Sequence, residues 1–130
     1  MDNIAHPNKS EVPKKALDEF DRWSKEVKRG AASLAILAVL EEQEAYGYEI
    51  VRQLGERVSF LQLEQGTVYP LLRRLEKRGL LASEWNYDDP SKPKKYYGLT
   101  SAGQSALEMM METWVILSQE MNKLMKGVEF

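Results

Sequence analysis

Apolar residues recur at helical spacing in the first part of the chain. In residues 13–30 they form one face, which predicts a helix that ends at Gly30 and covers an apolar surface on its own subunit or on another. Residues 34–42 are apolar nearly all round, so a second, buried helix is predicted there, with Ser33 as its N-cap. A break at Tyr46 and Gly47 separates it from a third helix, which ends near residue 57.

The next helical stretch, residues 66–79, follows a short connection in which Phe60 or Leu61 packs inward. Thr67 is its expected N-cap and Gly79 its expected end, which places Pro70 in the first turn, where a missing N–H is tolerated. Spacings of i, i+3, i+4 and i+7 predict a buried stripe of Val68, Leu71, Leu72 and Leu75. The opposite side carries Tyr69, Pro70, Arg73, Arg74 and Lys77. By itself, this basic edge also fits an ordinary solvated helix face.

Two stretches rich in β-forming residues, 80–87 and 95–100, predict an antiparallel hairpin. The loop between them has two prolines and an Asp-Pro step, and it places Lys92, Lys94 and Lys95 at the hairpin tip. A hairpin after a basic-edged helix is a wing, whose lysines reach DNA phosphates, although lysine is also common in solvated loops. The order of these elements predicts a winged helix-turn-helix domain.

A last helix is predicted from a cap at Thr100 or Ser101 toward Lys126. Its apolar residues alternate spacings of 3 and 4, as in a heptad seam: Leu107, Met110, Trp114, Leu117, Met121, Leu124 and Val128. Such a seam packs either on its own domain or on a second copy, and the small preceding domain favours a homodimer.

The expected fold is mainly α with a small antiparallel β-hairpin. We expect an N-terminal extension and helix in residues 1–30, the winged helix-turn-helix DNA-binding domain in residues 31–100, and a C-terminal dimerisation helix in residues 101–130.

Charge is unevenly distributed. The formal net charge is −2, yet residues 66–97 carry +3 between flanks of −3 and −2. A local patch is the relevant scale for a small DNA-recognition surface, so the acidic total does not exclude DNA binding.

The composition argues against catalysis and metal binding. The chain has no cysteine and a single histidine, His6, so disulfides, thiolate metal sites and Ser-His chemistry are not expected. It also lacks a nucleophile elbow and a phosphate-binding loop, and we expect neither a cofactor nor enzymatic activity. The N-terminus lacks a signal-peptide core and the longest apolar run, residues 34–40, is too short to span a bilayer, so a soluble cytoplasmic protein is expected.

Four motifs carry a family likeness: AYGYEI (45–50), LEQGTVYPLLRRLEKRGLL (63–81), SEW (83–85) and KKYYGLTSAG (94–103). In this order and at these distances they resemble the PadR family of bacterial transcriptional regulators, over residues 34 to about 107. The resemblance implies a winged helix-turn-helix protein that dimerises through a C-terminal helix, binds a two-fold DNA operator and usually represses. It also implies, for many members, release from DNA by a small molecule.

The resemblance assigns DNA-facing positions to the basic-edged helix and the wing: Thr67, Tyr69, Pro70, Arg73, Arg74, Lys77, Lys92, Lys94 and Lys95. Thr67 and Tyr69 are expected to approach bases, and the cations to anchor phosphates. The wing departs from the family's Gly-Arg-Pro-Arg-like run, because it reads Ser-Lys-Pro-Lys in residues 91–94. Lysine suits a narrow minor groove less well than arginine, so phosphate contact is the expected role. The short C-terminal region resembles the compact branch of the family, and the helix before residue 30 is an addition that reinforces the dimer.

Trp114 suggests an effector site, since some compact, drug-responsive members stack planar ligands on a tryptophan of this helix. Met110, Leu117 and Met121 would line such a site with flexible side chains. The alternative is that Trp114 is simply a bulky interface residue. For the whole protein, the alternative to a DNA-binding regulator is a winged-helix module that binds another protein without contacting DNA.

Overall fold

A computed structural model describes residues 11–126. Its elements in chain order are α1 (Lys14–Glu42), β1 (Ala45–Tyr46), α2 (Gly47–Arg57), a 3-10 turn (Ser59–Leu61), α3 (Gln65–Lys77), β2 (Leu81–Asn86), β3 (Lys94–Leu99) and α4 (Ser101–Leu124). The protein is therefore mainly helical with a small antiparallel sheet, which confirms the predicted fold class. His6 and Val128 lie outside the described residues. Within residues 11–126, no helix has a stretch long and apolar enough to cross a membrane.

The first two predicted helices form one helix. α1 has 29 residues and passes through both Gly30 and Ser33, so the predicted end at Gly30 and the predicted N-cap at Ser33 are wrong. A Cβ at Gly30 would meet nothing within 4 Å beyond the adjoining backbone of the helix, and the Gly30 backbone is not in the left-handed region that ends many helices. The next two residues, Ala31 and Ala32, are buried and are the strongest helix formers, which carries α1 onward. The proposed boundary between residues 30 and 31 falls inside this helix.

The core lies between the C-terminal half of α1 and the three other helices. The largest fully buried side chains are Ile36, Leu37, Ile50, Leu54, Val68, Leu72 and Leu107. The predicted buried stripe of α3 is confirmed at all four positions. In the connection before α3, Leu61 packs against this core while Phe60 is exposed.

The sheet has the order β1-β3-β2, and all its pairs are antiparallel. The predicted hairpin is present, with Leu81 opposite Leu99 and Asn86 opposite Lys94. β1 was not predicted, because two residues are too short to display a strand period. It pairs Ala45 with Tyr97, which ties the start of α2 to the wing.

Thr100 is the N-cap of α4, and it is one of the two residues that the sequence predicted for this role. Its hydroxyl accepts a hydrogen bond from the Gly103 N–H at 3.0 Å and donates one to the Gly79 carbonyl at 2.6 Å. The Thr100 N–H also donates to the Leu80 carbonyl. The start of α4 is thus bonded directly to the end of the α3 segment.

Candidate nucleic-acid interface

α3 begins earlier than predicted. Its N-cap is Glu64, whose carbonyl accepts the N–H groups of Thr67 and Val68 at 2.9 and 2.8 Å. Thr67 is therefore not the N-cap, and Pro70 lies inside the helix instead of in its first turn. Gly66 is a poor helix former, yet it is the second residue of α3. Because proline has no N–H, the Gly66 carbonyl lacks its usual intrahelical partner.

The end of α3 agrees with the prediction. Gly79 has φ +81°, and its N–H donates to the Glu76 carbonyl at 2.9 Å, while the Leu80 N–H donates to the Leu75 carbonyl at 3.0 Å. This pair of hydrogen bonds closes the helix and needs the left-handed conformation that glycine adopts without strain. The chain then turns directly into β2.

The side of α3 opposite its buried stripe is exposed and basic. Thr67, Pro70, Arg73, Arg74 and Lys77 are all exposed, as the sequence predicted. The three cations form no ion pair with another residue in the part of the chain that the structure describes. Their charge is available to an anionic ligand without breaking an internal contact.

Tyr69 differs from its neighbours because it is half-buried and packs against the core. Its ring lies on Gly47, the first residue of α2. Part of this side chain therefore docks α3 on α2, and only the remaining edge faces solvent.

The wing lysines occupy three different environments. Lys92 is exposed in the loop, where Asp89 accepts hydrogen bonds from the N–H and hydroxyl of Ser91. Lys94 lies in β3 with its ammonium 4.9 Å from the centre of the Tyr46 ring. Lys95, also in β3, is 3.7 Å from a Glu76 carboxylate oxygen. Lys92 alone lies at the predicted tip, and Lys95 is directed toward α3.

A groove of about 360 Å³ separates α3 from the wing, and we call it the wing groove. Arg73, Lys94 and Lys95 are its cations, and no carboxylate is among its lining residues. Three of its aromatic residues, Tyr46, Tyr48 and Trp85, were not predicted as site residues. Exposure identifies Tyr48 and Trp85, but a single sequence carries no signal that separates them from core aromatics.

The predicted seam of α4 divides into two parts. Leu107 belongs to the core of its own subunit, and Met110 packs against that core. The later positions, Trp114, Leu117, Met121 and Leu124, have exposures of 48%, 50%, 40% and 78%. A long apolar helix face is therefore exposed, as expected for a surface that binds another helix.

An apolar groove of about 360 Å³ lies between α1 and α4. It is lined by Leu34 of α1 and by Met109, Met110, Trp114 and Leu117 of α4. Of the four predicted effector-binding residues, Met110, Trp114 and Leu117 are brought together here, whereas Met121 is not among the lining residues.

No cluster of three or more histidine, cysteine or carboxylate side chains in residues 11–126 is placed to hold a metal ion.

Arg57 at the end of α2 donates hydrogen bonds to both carboxylate oxygens of Glu42 at the end of α1, at 2.9 and 2.6 Å. These bonds hold the pKa of Glu42 below its ordinary value and raise that of Arg57.

Comparison with known proteins identifies relatives of this architecture. The model of the "Transcriptional regulator PadR-like family" matches residues 36–109. A transcriptional regulator of Mycobacterium tuberculosis is 38% identical over 86 residues, which cover 64% of this chain and 75% of the relative. An uncharacterized protein of Lysinibacillus sphaericus is 28% identical over 102 residues, which cover 78% of this chain and 94% of the relative. A solved PadR family regulator from Eggerthella lenta is 37% identical with a TM-score of 0.72, covering 88% of this chain and 98% of that one.

Proposed function

Because this chain belongs to the PadR-like family of transcriptional regulators, we propose that it is a sequence-specific DNA-binding repressor, active as a homodimer in the cytoplasm. The observation that carries the proposal is the exposed basic side of α3, where Arg73, Arg74 and Lys77 have no ion-pair partner among residues 11–126. A winged helix with such a face fits the DNA major groove. The family is one of regulators and not of enzymes, in agreement with the absence of catalytic motifs in the sequence.

In the proposed complex, α3 of each subunit enters a major groove. Thr67 is exposed near the start of the helix and contacts base edges, and Tyr69 contributes its exposed edge. Arg73, Arg74 and Lys77 bind phosphates along the groove, and Lys92 and Lys94 of the wing bind the flanking backbone. Lys95 forms an ion pair with Glu76, and this pair holds the wing against α3.

The homodimer is proposed to form through α4. Trp114, Leu117, Met121 and Leu124 continue a heptad pattern on an exposed face, and burial of this face against its own copy gives an isologous interface. Two copies of α3 related by the two-fold axis then bind a palindromic operator. The N-terminal half of α1, which precedes residues 36–109, would extend this interface.

A small planar aromatic effector is proposed to bind in the apolar groove between α1 and α4. Trp114 supplies a stacking surface, and Met110 and Leu117 supply adaptable apolar contacts. Since α4 carries both the groove and the proposed dimer face, occupancy of the groove would change the separation of the two α3 helices and release the operator.

The function is tested by selection of duplexes from a random pool, followed by sedimentation of the complex. We expect a palindromic consensus, a stoichiometry of two chains per duplex and binding that weakens steeply with salt. The rival function, a winged helix that binds protein only, predicts no salt-dependent shift of any duplex. That result would overturn the proposal.

A further inference from the structure

A second groove borders α3, on the side away from the wing. It has a volume of about 530 Å³ and lies between α3, the middle of α1 and the connection before α3. We call it the α1 groove. Its rim carries Lys25, Lys28 and Arg29 from α1 and Arg74 from α3, and no carboxylate is among its lining residues.

The cations of this groove are available to a ligand. Lys25 and Arg74 form no ion pair with any residue in the range 11–126. Arg29 pairs with Glu26 of its own helix at 3.0 Å, but both side chains are well exposed, and exposed pairs of this kind contribute little stability. The Lys28 ammonium is held at the rim by a hydrogen bond to the side-chain oxygen of Gln62. The groove is therefore a preformed site of positive charge.

The wing groove and the α1 groove lie at opposite edges of the exposed side of α3. Tyr69 and Arg73 line the wing groove, whereas Thr67, Leu71 and Arg74 line the α1 groove, and the two grooves share no residue. Helical periodicity places Gly66, Pro70 and Lys77 between these two sets and opposite the buried stripe. The adjacent residues Arg73 and Arg74 thus serve different grooves.

The major groove that would receive α3 is bounded by two phosphate backbones. One backbone lies beside the wing groove, and the other must then lie beside the α1 groove. We propose that the α1 groove binds a backbone phosphate of the operator, so that Lys25, Lys28 and Arg29 form a second anchoring site for DNA. This inference rests on the proposed function, and it assigns a DNA contact to a part of α1 that precedes residues 36–109.

DNA is favoured over an acidic peptide because the groove is continuous with the proposed DNA face. Thr67 and Arg74 belong to both surfaces. An acidic peptide in this groove would have to share them with the duplex, whereas a DNA backbone contacts them in the same docked position.

The test compares two double variants on a duplex selected by the native protein. Lys25→Gln with Arg29→Gln removes two cations from the α1 groove. Lys14→Gln with Lys15→Gln removes the same charge from the same helix, at positions that do not line it. Affinity is measured over a range of salt concentrations, and phosphate ethylation interference identifies the contacted phosphates. Thermal unfolding verifies that both variants fold.

We expect the groove variant to bind on the order of tenfold more weakly and to lose about 2 from the salt slope, one phosphate contact per subunit of the dimer. It should also lose interference at one phosphate in each half-site, and the control variant should match the native protein in both measurements.

Three results would overturn the inference. If native protein binds the duplex and both variants keep its salt slope and interference pattern, the α1 groove does not contact DNA, while the proposed function stands. If the groove variant keeps its DNA contacts but loses binding of a polyglutamate probe that the control retains, the occupant is an acidic peptide. If native protein shifts no selected duplex, both this inference and the proposed function fail.

Discussion

The ring of Tyr69 occupies the space that a side chain on Gly47 would need. A Cβ built on Gly47 would lie 2.4 Å from Cε1 of that ring, closer than any real contact of this kind. Gly47 is the first residue of α2, and Tyr69 lies on α3. The two helices of the helix-turn-helix unit are therefore in contact at a point where a side chain on residue 47 would displace the Tyr69 ring.

Gly47→Ala is expected to displace the Tyr69 ring and to tilt the start of α3. The ring can move toward solvent, so the loss of stability should be modest, about 1–3 kcal/mol for overpacking. Operator affinity should fall more than this stability loss implies, because the exposed side of α3 moves with the ring. Urea unfolding and gel shift on the same preparation measure the two effects.

Gly55→Ala is the matched control, since it lies in the same helix and a Cβ there would meet nothing within 4 Å. It should raise stability by about 0.5–1 kcal/mol, because alanine is the better helix former, and leave operator affinity unchanged. Equal operator affinity of the Gly47→Ala and Gly55→Ala variants would show that the Gly47 contact does not position α3.

Gly103→Ala should be more damaging than Gly47→Ala. A Cβ at Gly103 would lie 2.0 Å from the carbonyl oxygen of Leu80, and this obstacle is backbone, which cannot rotate aside. The start of α4 must then move away from the α3 segment and loosen the Thr100 cap, at a cost of about 3 kcal/mol or more. A shift of the urea midpoint no larger than that of Gly47→Ala would contradict this account.

Sequence periodicity is sufficient to predict the buried stripe of α3 and the hairpin, because both depend on local spacing. It failed where tertiary contacts override a local signal. Local spacing predicts the end of a helix at Gly30, but burial of Ala31 and Ala32 carries α1 through it. The dual role of Tyr69 was equally inaccessible, since spacing assigns a residue to a face but does not reveal which neighbour, here Gly47, occupies that face.

Arg73→Ala should weaken operator binding and lower the salt slope by about 2 for a dimer, since one phosphate contact is lost from each subunit. Arg73 has no ion pair in the described structure, so folding should be unaffected. Arg22→Ala is the control, because Arg22 is an exposed arginine on α1 that lines neither the wing groove nor the α1 groove. An Arg73→Ala protein with native affinity and native slope would mean that α3 does not face DNA.

The Glu42–Arg57 pair predicts a small dependence of stability on pH. The hydrogen bonds from Arg57 lower the pKa of Glu42 in the folded chain, so the pair's contribution is complete above the ordinary carboxyl pKa of about 4.5. It is lost as the pH falls from there through the lower, folded value. Urea midpoints measured from pH 7 to pH 3 should therefore converge for native protein and Glu42→Gln at the acidic end. A constant difference between the two proteins across this range would show that the ionised carboxylate of Glu42 does not stabilise the folded chain.

Leu117→Glu should dissociate the proposed dimer. Leu117 is 50% exposed on α4 and lies on the heptad seam, so a carboxylate there costs little in one subunit but would be buried without a charged partner in the seam of the dimer. Val115→Glu introduces the same charge at a residue of nearly equal exposure, 52%, one position off the seam. Sedimentation velocity should show monomers for Leu117→Glu and native dimers for Val115→Glu, with operator affinity reduced only in the first. If both variants remain dimers, the seam of α4 is not the interface; if both dissociate, the interface covers a wider face of α4 than the heptad positions.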